Sequence, residues 1–133
     1  MAALYDSIGQ DYRRYRQPDT RIHNAILRGL GDALTVLNVG AGTGSYEPPE
    51  RIVTAVEPSM VMIQQRPRDA ANAIQATATV LPFRDAAFDA AMAILTIHHW
   101  QNWEKGLLEL RRVACRRVGI DTHGIGSRLE LGR

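Results

Sequence analysis

Three glycines, Gly40, Gly42 and Gly44, close an aliphatic run in TVLNVGAGTG, and an acid, Glu57, ends the next such run in AVEPS. Glycines at the exit of a buried strand can take positive φ and let a ligand lie against bare backbone where side chains would collide. A carboxylate at the end of the following strand has the acceptor capacity to hold both hydroxyls of a ribose. The plain alternative is a tight turn with a solvated acid nearby, and a lone Gly-x-Gly does not separate the two. The order strand, GxGxG, strand, Glu-Pro-Ser favours a nucleoside-binding loop.

The same residues narrow the ligand. A dinucleotide site needs GxGxxG opening a long helix whose N-terminal amides face a pyrophosphate. Here the pattern is GxGxG, followed by Ser45 and then Tyr46-Glu47-Pro48-Pro49-Glu50. The prolines leave room for about one helical turn, and Glu47 and Glu50 would stand close to any phosphate. A ligand with a ribose and no phosphate is expected, with an NAD-dependent oxidoreductase as the less favoured reading.

Other reactive residues point nowhere definite. His98, His99 and His123 lack the spacing of metal ligands, so no metal is expected. The lone Cys115, beside Val113 and Ala114, reads as a packed residue in a reducing compartment. Arginines cluster at Arg13, Arg14, Arg16 and at Arg111, Arg112, Arg116, Arg117. With a net charge of +2 and 6% aromatics, however, the chain lacks the dense basic stripe of a nucleic-acid binder.

The elements that must position these groups alternate in type. Residues Ala2–Arg16 carry Leu4, Tyr5, Ile8, Tyr12 and Tyr15 at helical steps before Pro18. A second helix starts after Asp19 or Thr20, with Ile22, Ile26, Leu27 and Leu30 on one face, and ends at Gly29 or Gly31. Leu34–Val39 and Ile52–Val56 read as buried strands, and Ser59 caps a short helix through Gln65. Ala73–Thr77 is a weaker strand, Phe88–Leu95 a strong one, and Asp85-Ala86 a turn before it. Gln101–Ala114 is a helix with Leu107, Leu108, Leu110 and Val113 inward, and Arg117–Ile120 a fifth strand. Strands without a wet face, alternating with helices, predict an α/β fold: a Rossmann-like open parallel sheet of about five strands with helices on both faces. At 133 residues this is one domain.

With these motifs in place, the chain resembles the class I S-adenosylmethionine-dependent methyltransferases, in particular the small-molecule methyltransferase-like domains. VLNVGAGTG is similar to their glycine-rich first motif, AVEPS to the acidic second motif, and LPFRDAAFDAAMAILTIHHW to the segment through the fourth strand. YDSIGQDYRRYRQP resembles the helix that covers the cofactor, and WEKGLLELRRV the helix before strand five.

The resemblance implies S-adenosyl-L-methionine as cofactor and an unidentified small molecule as methyl acceptor. It implies that Gly40, Ala41, Gly42 and Gly44 line the methionine end and that Glu57 holds the ribose hydroxyls. Pro58 and Ser59 would flank the adenosine, Thr77 or Ala78 the adenine edge, and Leu95 and Thr96 the sulfonium. Tyr5 and Tyr12 would close the site from above or pack as ordinary core. Asn38 stands where the family commonly has Asp, and Thr77 where Asp is often found, so both contacts are neutral here. Methyl transfer from a sulfonium is an in-line displacement that asks the enzyme for alignment and desolvation. A general base is needed only if the acceptor must lose a proton, and His98 or His99, after strand four, is the candidate.

The resemblance also implies seven strands. The expectation is therefore a chain truncated or frame-shifted from about Gly119, lacking the last two strands. Residues 1–18 would form the cap helix, 34–120 the core and 121–133 an irregular tail, with an exposed sheet edge open to self-association. A cofactor-binding remnant or regulatory partner without catalysis is the alternative function. The opening MAALYDSIGQDYRRYRQP lacks the apolar core of a secretory signal, and no stretch reaches the ~20 apolar residues that cross a bilayer. The expectation is a cytoplasmic protein with no membrane contact.

Overall fold

The change of hydrophobic period after Gly31 becomes a change from helix to sheet. The computed structural model describes residues 19–120 and 128–130; the expected cap helix, with Tyr5 and Tyr12, and His123 lie outside the described residues. Helix α1 (Thr20–Leu30) starts where the Asp19 side chain accepts the Arg21 N–H at 2.8 Å, the preferred N-cap arrangement. It ends at Gly31, whose φ of 55° suits glycine and whose N–H returns to the Leu27 carbonyl. Its apolar stripe, Ile22, Ala25, Ile26 and Leu30, is buried.

Five strands run parallel: β1 (Thr35–Val39), β2 (Ile52–Val56), β3 (Ala73–Ile74), β4 (Phe88–Ile94) and β5 (Ala114–Ile120). With the antiparallel β6 (Arg128–Glu130) the order is β3-β2-β1-β4-β5-β6, so the chain switches direction between β1 and β4. Alternation along the central strands builds two cores. Val36, Ala90, Met92 and Val118 pack with α1, whereas Leu37, Val39, Ala91 and Ala93 pack with Leu110 and Val113 of α3 (Trp103–Val113). The short α2 (Met60–Gln64) follows β2, with Ser59 as N-cap. The expected fold class is therefore the observed one.

Several expectations shift. Strand β3 stops at Ile74 rather than Thr77: the Glu57 N–H bonds the Ile74 carbonyl at 3.0 Å, and Pro58 has no N–H to continue the ladder. Leu108 is 65% exposed because the inward stripe runs through Gly106, Leu110 and Val113. Helix α3 gives way to strand at Ala114, so β5 begins three residues before Arg117, and Cys115 is exposed rather than packed. The arginines of β5 are accommodated by backbone carbonyls. Arg116 donates to the Leu30 carbonyl at 2.6 Å, and Arg117 to the carbonyls of Ala114 and Cys115 at 3.0 and 3.1 Å. Arg112 likewise donates to the carbonyls of Leu81 and Phe83.

The segment expected as irregular contains β6, which pairs with Val118–Ile120 through backbone bonds that require no apolar alternation. Among the described residues, no helix is long and apolar enough to cross a membrane.

Candidate functional site

The carboxyl ends of β1, β2, β3 and β4 open on one cavity of about 550 Å³, at the point where strand order reverses. Open α/β sheets bind ligands in this crevice. The loop after β1 enters it through Gly40, Ala41 and Gly42, with φ of 70° at Gly40 and 57° at Gly42. Gly40 also cannot carry a side chain for lack of space: a Cβ there would lie 2.2 Å from Thr96 Oγ1, on the loop after β4.

The loop is tied down by its own amides. Gly40 and Ala41 donate to the Val56 carbonyl at 2.9 and 3.0 Å, and Gly44 donates to the Ala41 carbonyl at 3.0 Å. Gly42 donates to Glu57 Oε1 at 2.7 Å, and Glu57 Oε2 accepts the Ser59 N–H at 2.7 Å. Glu57 is 6% exposed and faces the cavity. Each carboxylate oxygen has a second lone pair, so this acid can clamp the loop and still accept from a ligand hydroxyl. Among the described residues lining the cavity there is no Lys or Arg, and Glu57 is the sole carboxylate. Nor do the described residues include a group of three or more His, Cys, Asp and Glu that could hold a metal.

Of the residues singled out in the sequence, Asn38, Gly40, Ala41, Gly42, Glu57, Pro58, Thr77, Ala78, Leu95, Thr96 and His99 are brought together on the cavity wall. Gly44 and Ser59 are not. Gly44 instead leaves room for Glu47 and Arg66, which a Cβ would approach to 3.0 and 3.2 Å, and Ser59 caps α2 and braces Glu57. Glu47, expected to stand close to any phosphate, turns inward: its Oε2 accepts from Asn38 Nδ2 at 2.8 Å and its Oε1 pairs with Arg66 at 2.5 Å. Glu50 is exposed. Leu95 sits at φ 57°, a left-handed conformation that costs a non-glycine residue on the order of 1 kcal/mol.

Sequence reasoning missed Thr43, Ser45, Tyr46, Met62 and Trp100, which also line the cavity. Thr43 stands apart. It is 3% exposed, its Oγ1 has no hydrogen-bond partner among the described residues, and it faces the cavity. A buried unpartnered hydroxyl costs about 1–3 kcal/mol, a cost that a ligand acceptor or donor would remove. Trp100 is placed by Gly106 of α3, where a Cβ would meet the indole Cε3 at 2.4 Å.

A switch-point cavity with a glycine loop, a buried acid at the β2 exit and no cation among its described lining residues defines a Rossmann-like nucleoside site. The model of the methyltransferase domain family matches residues 37–117, and the chain belongs to that family as a class I S-adenosylmethionine-dependent methyltransferase domain. It is 33% identical to a putative methyltransferase from an antibiotic biosynthesis pathway of Anabaena variabilis (TM-score 0.70, covering 78% of this chain and 47% of that one). It is 25% identical to an S-adenosylmethionine-dependent methyltransferase of Thermotoga maritima described as a possible histamine N-methyltransferase (TM-score 0.73, 90% and 60%). The [4+2]-cyclase SpnF shares the fold at 20% identity (TM-score 0.66, 74% and 43%). The chain thus spans about half the length of these structures. No curated protein matches it.

Proposed function

We propose that this domain binds S-adenosyl-L-methionine and transfers its methyl group to a small-molecule acceptor. The observation that carries the reading is Glu57, buried at the β2 exit, facing the cavity and bonded to the Gly42 N–H. The amides of Gly40, Ala41, Gly42 and Gly44 are all spent on protein acceptors, so they cannot cradle a diphosphate as a dinucleotide loop does. A ribose without a phosphate suits an acid in a wall whose described residues carry no cation.

In this reading Glu57 accepts the ribose hydroxyls, Pro58, Thr77 and Ala78 flank the adenosine, and Asn38 and Thr43 meet the methionine end. The sulfonium supplies a methyl group whose leaving group is already activated. Leu95, Thr96 and Trp100 then exclude water and align the acceptor. His99, on the cavity wall, takes a proton where the acceptor must lose one; the His98 side chain is not among those described.

A second reading, a domain that binds the cofactor without methyl transfer, draws support from the reacting end of the cavity. Apart from His99, the described residues there offer no base, and the cyclase SpnF has the same fold. Calorimetric titration with S-adenosylmethionine tests the binding common to both readings, and a methylation assay over a panel of small acceptors separates them.

A further inference from the structure

Arg66, just beyond α2, bonds three residues around the cavity. Its NH1 donates to the Gly42 carbonyl at 3.2 Å, its NH2 pairs with Glu47 Oε1 at 2.5 Å, and Nε and NH2 both reach the Ala71 carbonyl. Glu47 in turn accepts from Asn38 Nδ2 at 2.8 Å. The Arg66 and Glu47 side chains are 5% and 8% exposed, and Asn38 is 4% exposed. Removing one partner from a buried ion pair is costly because it leaves the other charge uncompensated.

We propose that Asn38, Glu47 and Arg66 form one charge unit in which Glu47, rather than residue 38, carries the carboxylate, and that this unit positions the cofactor loop. Two consequences follow from the geometry. Arg66 holds the carbonyl of Gly42 while Glu57 holds its N–H, so both faces of one peptide-bearing residue are fixed. The Asn38 amide is also held in one orientation. With Nδ2 committed to Glu47, its Oδ1 is the atom left to accept from the cavity that Asn38 lines. An acid at position 38 would place a second carboxylate in contact with Glu47, opposite one guanidinium, and like charges at that distance cannot both stay ionised without penalty. The amide is therefore required by Glu47, and the two residues are exchangeable only together. Glu47 and Arg66 are positioning residues, and their link to cofactor affinity rests on the function proposed above.

A double-mutant cycle tests this, using the full chain at neutral pH, with S-adenosylmethionine titration and the thermal unfolding midpoint as separate readouts. N38D is expected to raise Kd about tenfold or more and to lower the midpoint, and E47Q to lower the midpoint by stranding Arg66. N38D/E47Q keeps the charge of the unit and a donor–acceptor contact between positions 38 and 47. It is expected to return Kd to within about threefold of wild type and to recover most of the midpoint. Losses in the double variant equal to the sum of the single losses would overturn the proposal, as would N38D with wild-type affinity and midpoint. A wild-type chain silent to the cofactor would refute the functional reading by itself, and the midpoints would still decide whether Asn38 and Glu47 are coupled.

Discussion

Glu57 Oε1 lies 2.7 Å from the Gly42 nitrogen, so the acid after β2 and the glycine loop after β1 are one hydrogen-bonded unit. The carboxylate shapes the loop before any ligand arrives.

Glu57→Ala removes the acceptor and strands the N–H groups of Gly42 and Ser59. Cofactor affinity should fall by about 1–3 kcal/mol, read by titration, with a lower unfolding midpoint as well. An unchanged dissociation constant would show that the ribose lies elsewhere.

Thr43→Val is near-isosteric and deletes the buried hydroxyl that has no partner among the described residues. Its effects should have opposite signs. The ligand-free domain should gain up to about 1 kcal/mol of stability, while cofactor affinity should drop by about 0.5–1.5 kcal/mol. Thermal melts with and without cofactor check both; weakened stability and unaltered binding would mean that the hydroxyl serves the fold.

At Gly106→Ala two effects compete. Alanine in a helix interior gains about 1 kcal/mol over glycine, but its Cβ would lie 2.4 Å from Trp100 Cε3, and such overpacking costs typically about 1–3 kcal/mol. The clash should win. A lower midpoint together with altered tryptophan emission and cofactor affinity is expected, because Trp100 lines the cavity.

Acid should loosen the sheet in a defined window. Hydrogen bonding from the Arg112 side chain holds the Glu109 carboxyl below its ordinary range, and the backbone N–H groups of Thr35 and then Leu34 do the same for Asp89. A carboxyl depressed in the folded state contributes stability that is present above its unfolded pKa and is lost as pH falls through the folded value. The loss should begin below about pH 4.5. Glu109→Gln and Asp89→Asn should each flatten the acid limb of stability against pH, measured by chemical unfolding between neutral pH and pH 3. A limb as steep as wild type in both variants would assign acid sensitivity to other groups.

What the sequence revealed follows from how local each feature is. The strand–GxGxG–strand–Glu order is a local pattern, and the loop, the acid and the parallel sheet were legible in it. Glu47 was misread because its partner, Arg66, stands 19 residues away, and nothing in Tyr46-Glu47-Pro48-Pro49 shows the side chain turning inward. Thr43 was overlooked because which hydroxyl of a glycine loop is buried depends on the φ values of its neighbours. The start of β5 was misplaced since its arginines are stabilised by carbonyls such as that of Leu30, 86 residues earlier. Strand β6 pairs with β5 through the backbone, a relationship that leaves no apolar signature.

The most direct measurement is calorimetric titration of the domain with S-adenosylmethionine, its demethylated product and NAD. Saturable micromolar binding of the first two, with no heat from NAD, is expected from a buried acid and a loop whose amides are already engaged. Micromolar binding of NAD with no response to the sulfonium would contradict it.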